Sequence, residues 1–444
     1  MARSPGYVCR ECGAKSPLQT GRCTICGTWG SMVAEEAPQA APRAAGRARG
    51  QARRLEAVRL DEVSDASLVR YSSGDAEVDR VLGGGWVVGS AALLAGEPGI
   101  GKSTLLLQLA QHAVAAGRRV LYVAGEESPA QVRLRADRLG LGAGLELTRE
   151  NDAHVIADHL RAAAPDLVIV DSIQTLVVEA GGVPGTLTSL RDSTAILVDA
   201  AKAAGTTLVL IGHVTKQGSI AGPKVIEHVV DATFALESAA GLRVVRAMKN
   251  RFGPAGEVGV FEMTGSGMRA VANPSEAFLA ERPIGAPGSV VVAALEGQRP
   301  LLLEVQALAS KSPYSAPRRV VQGLDARRVD VVLAVLERRL DLPLEALDVF
   351  VNVAGGLRVT DPGADLAVAM AVYSAVTNRP APDRTAFVGE VGLAGELRSV
   401  SQLGRRLDEA KRAGHPRLVG PRSRELPDGV GTLRDALLLL WGSP

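Results

Sequence analysis

Four short apolar runs punctuate the middle of this chain: SAALLAG at 90–96, RVLYVAG at 119–125, DLVIVD at 166–171 and TTLVLIGH at 206–213. Each carries few polar residues, the pattern of strands covered on both faces of a parallel sheet. Between them, residues 103–116, 129–139, 153–163 and 189–204 place their apolar side chains near helical spacing. This exchange of strand and helix over 58–275 predicts βαβ units and a mostly parallel sheet, an α/β fold. The stretch LRVVRAMKNRFGPAGEVGVFEM at 242–263 then predicts a hairpin that turns at 253–256. Prolines and glycines punctuate 276–287, a junction to a second α/β region over 288–444, and no solenoid-type repeat is visible.

Composition narrows the class. The chain has 444 residues, 46% hydrophobic and 22% charged, which fits two or three globular domains and excludes bulk disorder. Aromatics make up only 3%, so the cores are filled by Ala, Val and Leu. The 50 basic residues against 48 acidic ones leave +2, so no global field marks a nucleic-acid or membrane partner, and any such contact must be local. Only 8 of the basic residues are lysines, which makes each lysine more informative. No apolar run approaches the roughly 20 residues of a membrane span and the start of the chain is polar, so no membrane partner and a cytoplasmic location are expected.

All four cysteines lie near the start, as Cys9-x-x-Cys12 and Cys23-x-x-Cys26, each pair followed at once by glycine. Two such knuckles supply four thiolates for one tetrahedral Zn²⁺, with no coordination position left open, so residues 1–30 read as a structural zinc module. A redox dithiol pair is the alternative. Residues 31–57, rich in Ala, Pro, Gly and Arg, read as a flexible basic linker, a solvated spacer before a phosphate contact.

The strongest chemical signal is Gly96-Glu97-Pro98-Gly99-Ile100-Gly101-Lys102-Ser103-Thr104, which follows a predicted strand and opens a predicted helix. This is a P-loop: glycines let backbone N–H groups wrap phosphates, Lys102 neutralises the β and γ oxygens, and Ser103 offers a hydroxyl to Mg²⁺. ATP and Mg²⁺ are the expected ligands. Asp171, ending its apolar strand, is the second Mg²⁺ candidate. Glu126 is the candidate base that orients the attacking water, with Glu127 close behind, since both follow a strand at the edge where sheet ligands bind. Both could instead cap the next helix. His213 ends the fourth strand at that edge and is placed to sense the γ-phosphate. Lys249 and Arg251, two residues apart in KNRFG, share a face of an extended strand and read as a finger reaching a neighbouring subunit's γ-phosphate. A solvated strand end is the bland alternative.

These motifs together, with GEPGIGKST, GEES, LVIVDSIQTL, LVLIGHVTKQGSIAGPKVIEHVVD and KNRFG beside the paired Cys-x-x-Cys knuckles, resemble the RadA (Sms) family of bacterial DNA repair and recombination ATPases over nearly the whole chain. The resemblance implies a RecA-like ATPase core and a homo-oligomer, a hexameric ring similar to the replicative helicase DnaB. It also implies binding of single-stranded DNA, branch migration of branched DNA intermediates made by the RecA recombinase, and action of Lys249 and Arg251 across subunits. In RecA-like folds the loops after the third and fourth core strands grip DNA, which makes Arg191, Lys216 and Lys224 the DNA-binding candidates. Residues 288–444 resemble the proteolytic domain of Lon, with Gly363 where Lon has its serine and Gly404 where it has its lysine. Without that pair Ser-Lys chemistry is impossible, and the domain is expected to assemble the ring and add DNA-binding surface. Lys311, Arg318, Arg319, Arg327, Arg328, Arg405 and Arg406 are its loose DNA candidates.

Three functions compete on this reading. The leading one is an ATP-driven DNA motor for recombination and repair. A nucleotide-switched loader of other repair proteins would show ATP turnover indifferent to single-stranded DNA. An ATP-dependent protease is disfavoured by the two glycines.

Overall fold

The computed structural model describes residues 7–9, 15–16, 18, 20–24, 27–34, 59, 69–142, 144–178, 182–213, 226–314 and 316–442. They fall into two units, 1–68 and 69–444. In the first, strands β1 (Tyr7–Cys9), β2 (Lys15–Ser16) and β3 (Met32–Ala34) form an antiparallel sheet in the order β2-β1-β3. Cys9 and Cys23 are buried together there with Met32.

The second unit opens with β4 (Arg70–Tyr71), α1 (Ala76–Leu82) and β5 (Trp86–Val87). Its alternating series follows: β6 (Ala91–Gly96), α2 (Lys102–Ala115), β7 (Val120–Ala124), α3 (Pro129–Arg138), β8 (Glu146–Thr148), α4 (Ala153–Ala163), β9 (Leu167–Asp171), α5 (Leu187–Ala204) and β10 (Thr207–His213). Local chemistry starts these helices: Asp75 and Asp152 accept hydrogen bonds from first-turn N–H groups, and Ser128 with Gln131 forms a capping box before Pro129. Then come β11 (Ala232–Ala239), β12 (Leu242–Asn250), β13 (Val258–Thr264) and β14 (Gly267–Ala270). One nine-stranded sheet results, in the order β14-β13-β12-β11-β6-β10-β9-β7-β8. Strands β6 to β11 run parallel, and β12 to β14 are added antiparallel.

The four apolar runs therefore become the strands expected of them, and the expected hairpin is β12 with β13. Alternate strand residues face opposite sides: Leu94, Ile169 and Val209 pack with α2, while Leu93, Val168 and Leu208 pack with α4 and α5.

Beyond α6 (Pro274–Leu279), which occupies part of the Pro/Gly-rich junction, lie β15 (Ser289–Glu296), β16 (Arg299–Lys311), β17 (Arg319–Gln322), α7 (Ala326–Leu340), β18 (Leu347–Val353) and α8 (Asp365–Thr377). The chain ends with β19 (Thr385–Phe387), β20 (Glu390–Val391), β21 (Leu397–Arg398), α9 (Leu403–Arg412), β22 (Arg417–Val419) and α10 (Leu433–Trp441). Six of these strands pair in the order β17-β18-β16-β15-β19-β22. Val244, Val258 and Val260 of the large sheet share one apolar cluster with Val290, Leu301 and Val332 of this region. Ion pairs Glu77–Arg299 and Arg246–Glu296 reinforce that junction. No helix among the described residues is long and apolar enough to cross a membrane.

Candidate active site

The parallel register brings four strand ends to one edge. His213 lies beside Gly96, and Ala124 beside Asp171. Gly96 is the last residue of β6, Glu97, Pro98 and Gly99 are exposed, Ile100 is buried, and α2 begins at Lys102. Ser103 and Thr104 sit half-buried in the first turn, where helix N–H groups lack intrahelical partners. Gly101 has φ +116°, a conformation that favours glycine, and a Cβ there would lie 2.3 Å from Cε of Met268 and 2.6 Å from Cε of Met263, so those two side chains cover it closely. Strands β13 and β14 thus roof the start of α2. Arg243 of β12 adds a hydrogen bond to the Ile100 carbonyl at 3.0 Å.

Lys102 is 3% exposed, and its Nζ donates to the carbonyls of Gly96 and Glu97, both at 2.9 Å. Burial pushes this ammonium down from its usual range, against the opposing pull of Asp171 and Glu126. Nζ also lies 3.1 Å from Nδ1 of His213. An ammonium can only donate, so Nδ1 accepts and Nε2 carries the proton. That Nε2 donates to Oε1 of Glu126 at 3.0 Å, and the hydroxyl of Ser172 donates to the same oxygen. The result is a hydrogen-bonded chain from Lys102 through His213 to Glu126, closed by Ser172.

The His213 hydrogen bond, helped by Ser172 and by the charge of Lys102, outweighs burial and holds the Glu126 carboxyl down at about 2. Its Oε2 takes no hydrogen bond from the described residues and remains available. Glu127 is different, because its Oε1 is held by Arg135 of α3. Of the two acids open on sequence grounds, the geometry favours Glu126 for a role at the site. Asp171, 7% exposed, accepts a hydrogen bond from the Tyr122 hydroxyl at 2.6 Å. Burial raises the Tyr122 phenol well above its ordinary range, which keeps it a neutral donor. A buried carboxylate steered by a donor on one oxygen, near the hydroxyl-bearing start of α2, suits a hard divalent cation.

Lys249 and Arg251 do not join this cluster. Asn250 pairs with Ala232 and Ala232 with Ala92, so β12 ends about 13 Å along the strand direction from the level of Gly96. A bulge at Met248, between the pairs Thr233–Lys249 and Phe234–Ala247, re-aims Lys249. Its Nζ donates to the carbonyls of Glu227 and Val230, and the Arg251 guanidinium, 59% exposed, sits 3.9 Å from Asp231. The rest of KNRFG is a brace. Asn250 donates to the Leu82 carbonyl at 3.1 Å and accepts from the Phe252 N–H at 2.9 Å. Gly253 comes so close to Gly83 that a Cβ on it would lie 2.9 Å from the Gly83 Cα.

Of the DNA candidates, Arg191 is exposed on α5 and paired with Asp192 at 3.1 Å, while Lys216 and Lys224 lie outside the described residues. So do Cys12 and Cys26. Cys9 and Cys23, 1% and 2% exposed, are brought into one buried cluster, as two ligands of a shared soft metal would be.

The C-terminal region corrects several sequence expectations. Arg406 is fully buried, its guanidinium paired with Asp361 and bonded to the Ala293 carbonyl at 2.7 Å, so it is no DNA contact. Arg318 is tied to Asp348, Arg328 to both oxygens of Asp365, and Arg319 to the Leu344 and Leu347 carbonyls, which leaves Lys311, Arg327 and Arg405 as the freer cations of that set. A Cβ on Gly363 would lie 3.1 Å from Arg406 Nη1 and 3.1 Å from both Asp361 oxygens, whereas Gly404 has Glu425 as its neighbour. Gly363→Ser combined with Gly404→Lys is therefore expected to yield no peptidase activity on casein and to lower the melting temperature. Proteolysis by that double variant would show that the buried pair does not block the site.

Sequence reasoning missed Tyr122, Ser172, Arg243 and the Glu227–Asp231 contacts. A lone hydroxyl inside an apolar strand was the available signal for Tyr122, and adjacency to Asp171 for Ser172.

Residues 56–219 match the AAA domain family, 7–34 the rubredoxin metal binding domain, and 323–424 subunit ChlI of Mg-chelatase. The chain is 44% identical over 440 residues to DNA repair protein RadA of Brucella abortus (strain 2308), covering 96% of this chain and 92% of that protein. It is likewise 44% identical over 440 residues to DNA repair protein RadA of Mycobacterium tuberculosis (strain ATCC 25618 / H37Rv), covering 98% and 91%. A KaiC-like protein from Pyrococcus horikoshii OT3 has a crystal structure of TM-score 0.40 and 20% identity, covering 46% of this chain and 99% of its own.

Proposed function

The chain belongs to the RadA family of DNA repair proteins, with an ATPase core, and from that membership we propose that it is a DNA-dependent ATP hydrolase, a ring-forming motor that moves on single-stranded DNA. The observation that carries the reading is the hydrogen-bonded chain Lys102–His213–Glu126, which links a buried phosphate-loop cation to a carboxylate at the same sheet edge.

In this reading the ATP phosphates lie against the N–H groups of residues 96–104, and Lys102 exchanges some of its carbonyl contacts for β and γ oxygens. Ser103 and Asp171 hold Mg²⁺, which when bound neutralises charge on the transferring phosphoryl group. Tyr122 keeps Asp171 oriented. Glu126, with Oε1 occupied by His213 and Ser172, presents Oε2 to the attacking water. A carboxylate held at about 2 is a weak proton acceptor, so Glu126 orients the water more than it deprotonates it, as suits a loose phosphoryl-transfer transition state. His213 touches both the phosphate lysine and the water-orienting acid, and its shift on loss of the γ-phosphate reaches the chain that follows it. Lys249 and Arg251, at the opposite sheet edge, serve the nucleotide of an adjacent subunit in a hexameric ring. The four cysteines hold Zn²⁺ as a structural ion. Arg191, Lys216 and Lys224 contact DNA phosphates, and branched intermediates made by RecA are the natural substrate of a cytoplasmic enzyme of this kind.

Branch migration of a three-strand intermediate, with and without RecA, tests the motor reading. ATP-driven migration is expected for the wild type and not for Glu126→Gln, whose turnover should fall about 10²-fold or more. Turnover indifferent to single-stranded DNA would instead favour a nucleotide-switched loader. Because folding depresses the Glu126 carboxyl, the charge it contributes is present above the usual carboxylate range and is lost only as pH falls towards about 2. The turnover profile should therefore show no Glu126 limb between about pH 5 and 9. A carboxylate-dependent inflection there, absent from the Gln variant, would contradict the hydrogen-bonded chain.

A further inference from the structure

Asp231 is 4% exposed and ends the turn that precedes β11. Its Oδ2 accepts the Ala91 N–H at 3.1 Å, and its own N–H donates to the Ala91 carbonyl at 2.9 Å, which clamps it to the first residue of β6. Its Oδ1 accepts from Lys202 Nζ at 3.0 Å and faces the Arg251 guanidinium at 3.9 Å. The Arg251 N–H donates to the Asp231 carbonyl at 3.2 Å, and Lys249 donates to the carbonyl just before it, that of Val230, at 2.7 Å. Both cations of KNRFG thus rest on residues 227–231. Burial and the charge of Arg251 push the Lys249 ammonium down, while Asp231 and Glu227 hold it up.

Like charges two residues apart at a strand end repel, and without a counter-charge they would splay. Lys202 alone could neutralise a structural aspartate, and nothing in that pairing requires Arg251 to be drawn in as well. We infer that Asp231 is the positioning residue of the cation pair: clamped to β6, the strand that carries the phosphate loop at its other end, it sets where the two cations leave the sheet edge towards a neighbouring subunit, Arg251 through its carboxylate and Lys249 through the turn it pins, whose Glu227 and Val230 carbonyls hold the ammonium. The inference rests on the reading of that pair as acting in trans. It also gives β6 two jobs, presenting its own phosphate loop at Gly96 and anchoring, through Ala91, the cations offered to the next subunit.

The test uses full-length protein and steady-state ATP turnover on single-stranded DNA. Asp231→Asn is expected to lower kcat about 10- to 100-fold, the scale of a roughly 1 Å misplacement, with binding of a fluorescent ATP analogue unchanged. Mixing subunits separates positioning from folding. Asp231→Asn keeps its phosphate loop and Lys102→Ala keeps its cation pair, so mixed rings should regain turnover that neither variant has alone. Lys249→Ala mixed with Lys102→Ala is the parallel control. Rescue in both mixtures supports the inference. Rescue in the control without rescue by Asp231→Asn, or wild-type turnover by Asp231→Asn itself, overturns the role of Asp231 and leaves the trans reading intact. Failure of the control overturns the trans reading, and the inference with it. If the Asn variant folds poorly, Asp231→Glu, which keeps the charge and moves it by one methylene, carries the same mixing test.

Discussion

Lys102→Ala should fold and lose ATP turnover by about 10³-fold or more, the largest functional effect expected of a single substitution here. Two losses coincide. The cation that meets the phosphates disappears, and so does the donor that holds Nδ1 of His213 as an acceptor. Once Nδ1 is released, the imidazole can change tautomer or rotate, and Glu126 then loses the partner that contributes most to keeping it ionised and aimed. Lys102→Arg should fail as well, because the pocket around Nζ is closed by the Gly96 and Glu97 carbonyls and a guanidinium is wider than an ammonium. Folding should survive, since burial of this ammonium is itself unfavourable and its removal costs the native state little. Phosphate release at saturating ATP, read beside the melting temperature, decides the matter. Turnover within about tenfold of wild type would remove Lys102 from the phosphate site.

The parts of this site that were legible in the sequence are those whose chemistry is local. Apolar runs became strands because their residues are buried on both faces, and the glycines and lysine of 96–104 announce a phosphate loop because loop and helix start are contiguous. His213 could be placed at the right edge from its strand end. Its bridging role could not, because it depends on β10 pairing with β6 in a register that sets His213 beside Gly96. Ser172, Arg243 and Asp231 act through similar long-range registers. Strand β11 was hidden because its outer half alternates weakly, with Glu237 and Ser238 exposed. Arg406 had a readable signal that its charge concealed: Leu403, Arg406, Leu407 and Ala410 fall at helical spacing, so the arginine belongs to the stripe that faces the core.

That buried arginine carries the largest expected effect on stability. Arg406→Ala should destabilise the unit by about 3–5 kcal/mol, because it strands a carboxylate in a place with little water. Asp361, 9% exposed at its side chain, also accepts the N–H groups of Leu295 and Gly363 at 2.9 Å each. Those two donors cannot replace a cation, and the space left by the guanidinium opens a cavity between α9 and β15. Arg406→Lys should recover only part of the loss, since one ammonium cannot span the Ser401 carbonyl, the Ala293 carbonyl and the carboxylate together. A second substitution, Asp361→Asn in the Arg406→Ala background, should recover part of the stability by removing the unpaired charge, and only part, because the single amide oxygen can accept one of the two N–H groups that now bond to separate carboxylate oxygens. Denaturant midpoints of the three variants measure this. If Arg406→Ala leaves the midpoint where it was, or if Asp361→Asn deepens its loss instead of relieving it, then the pair is not what holds this part of the domain closed. The surroundings of Gly363 would then owe their shape to apolar packing rather than to the Arg406–Asp361 ion pair beside it.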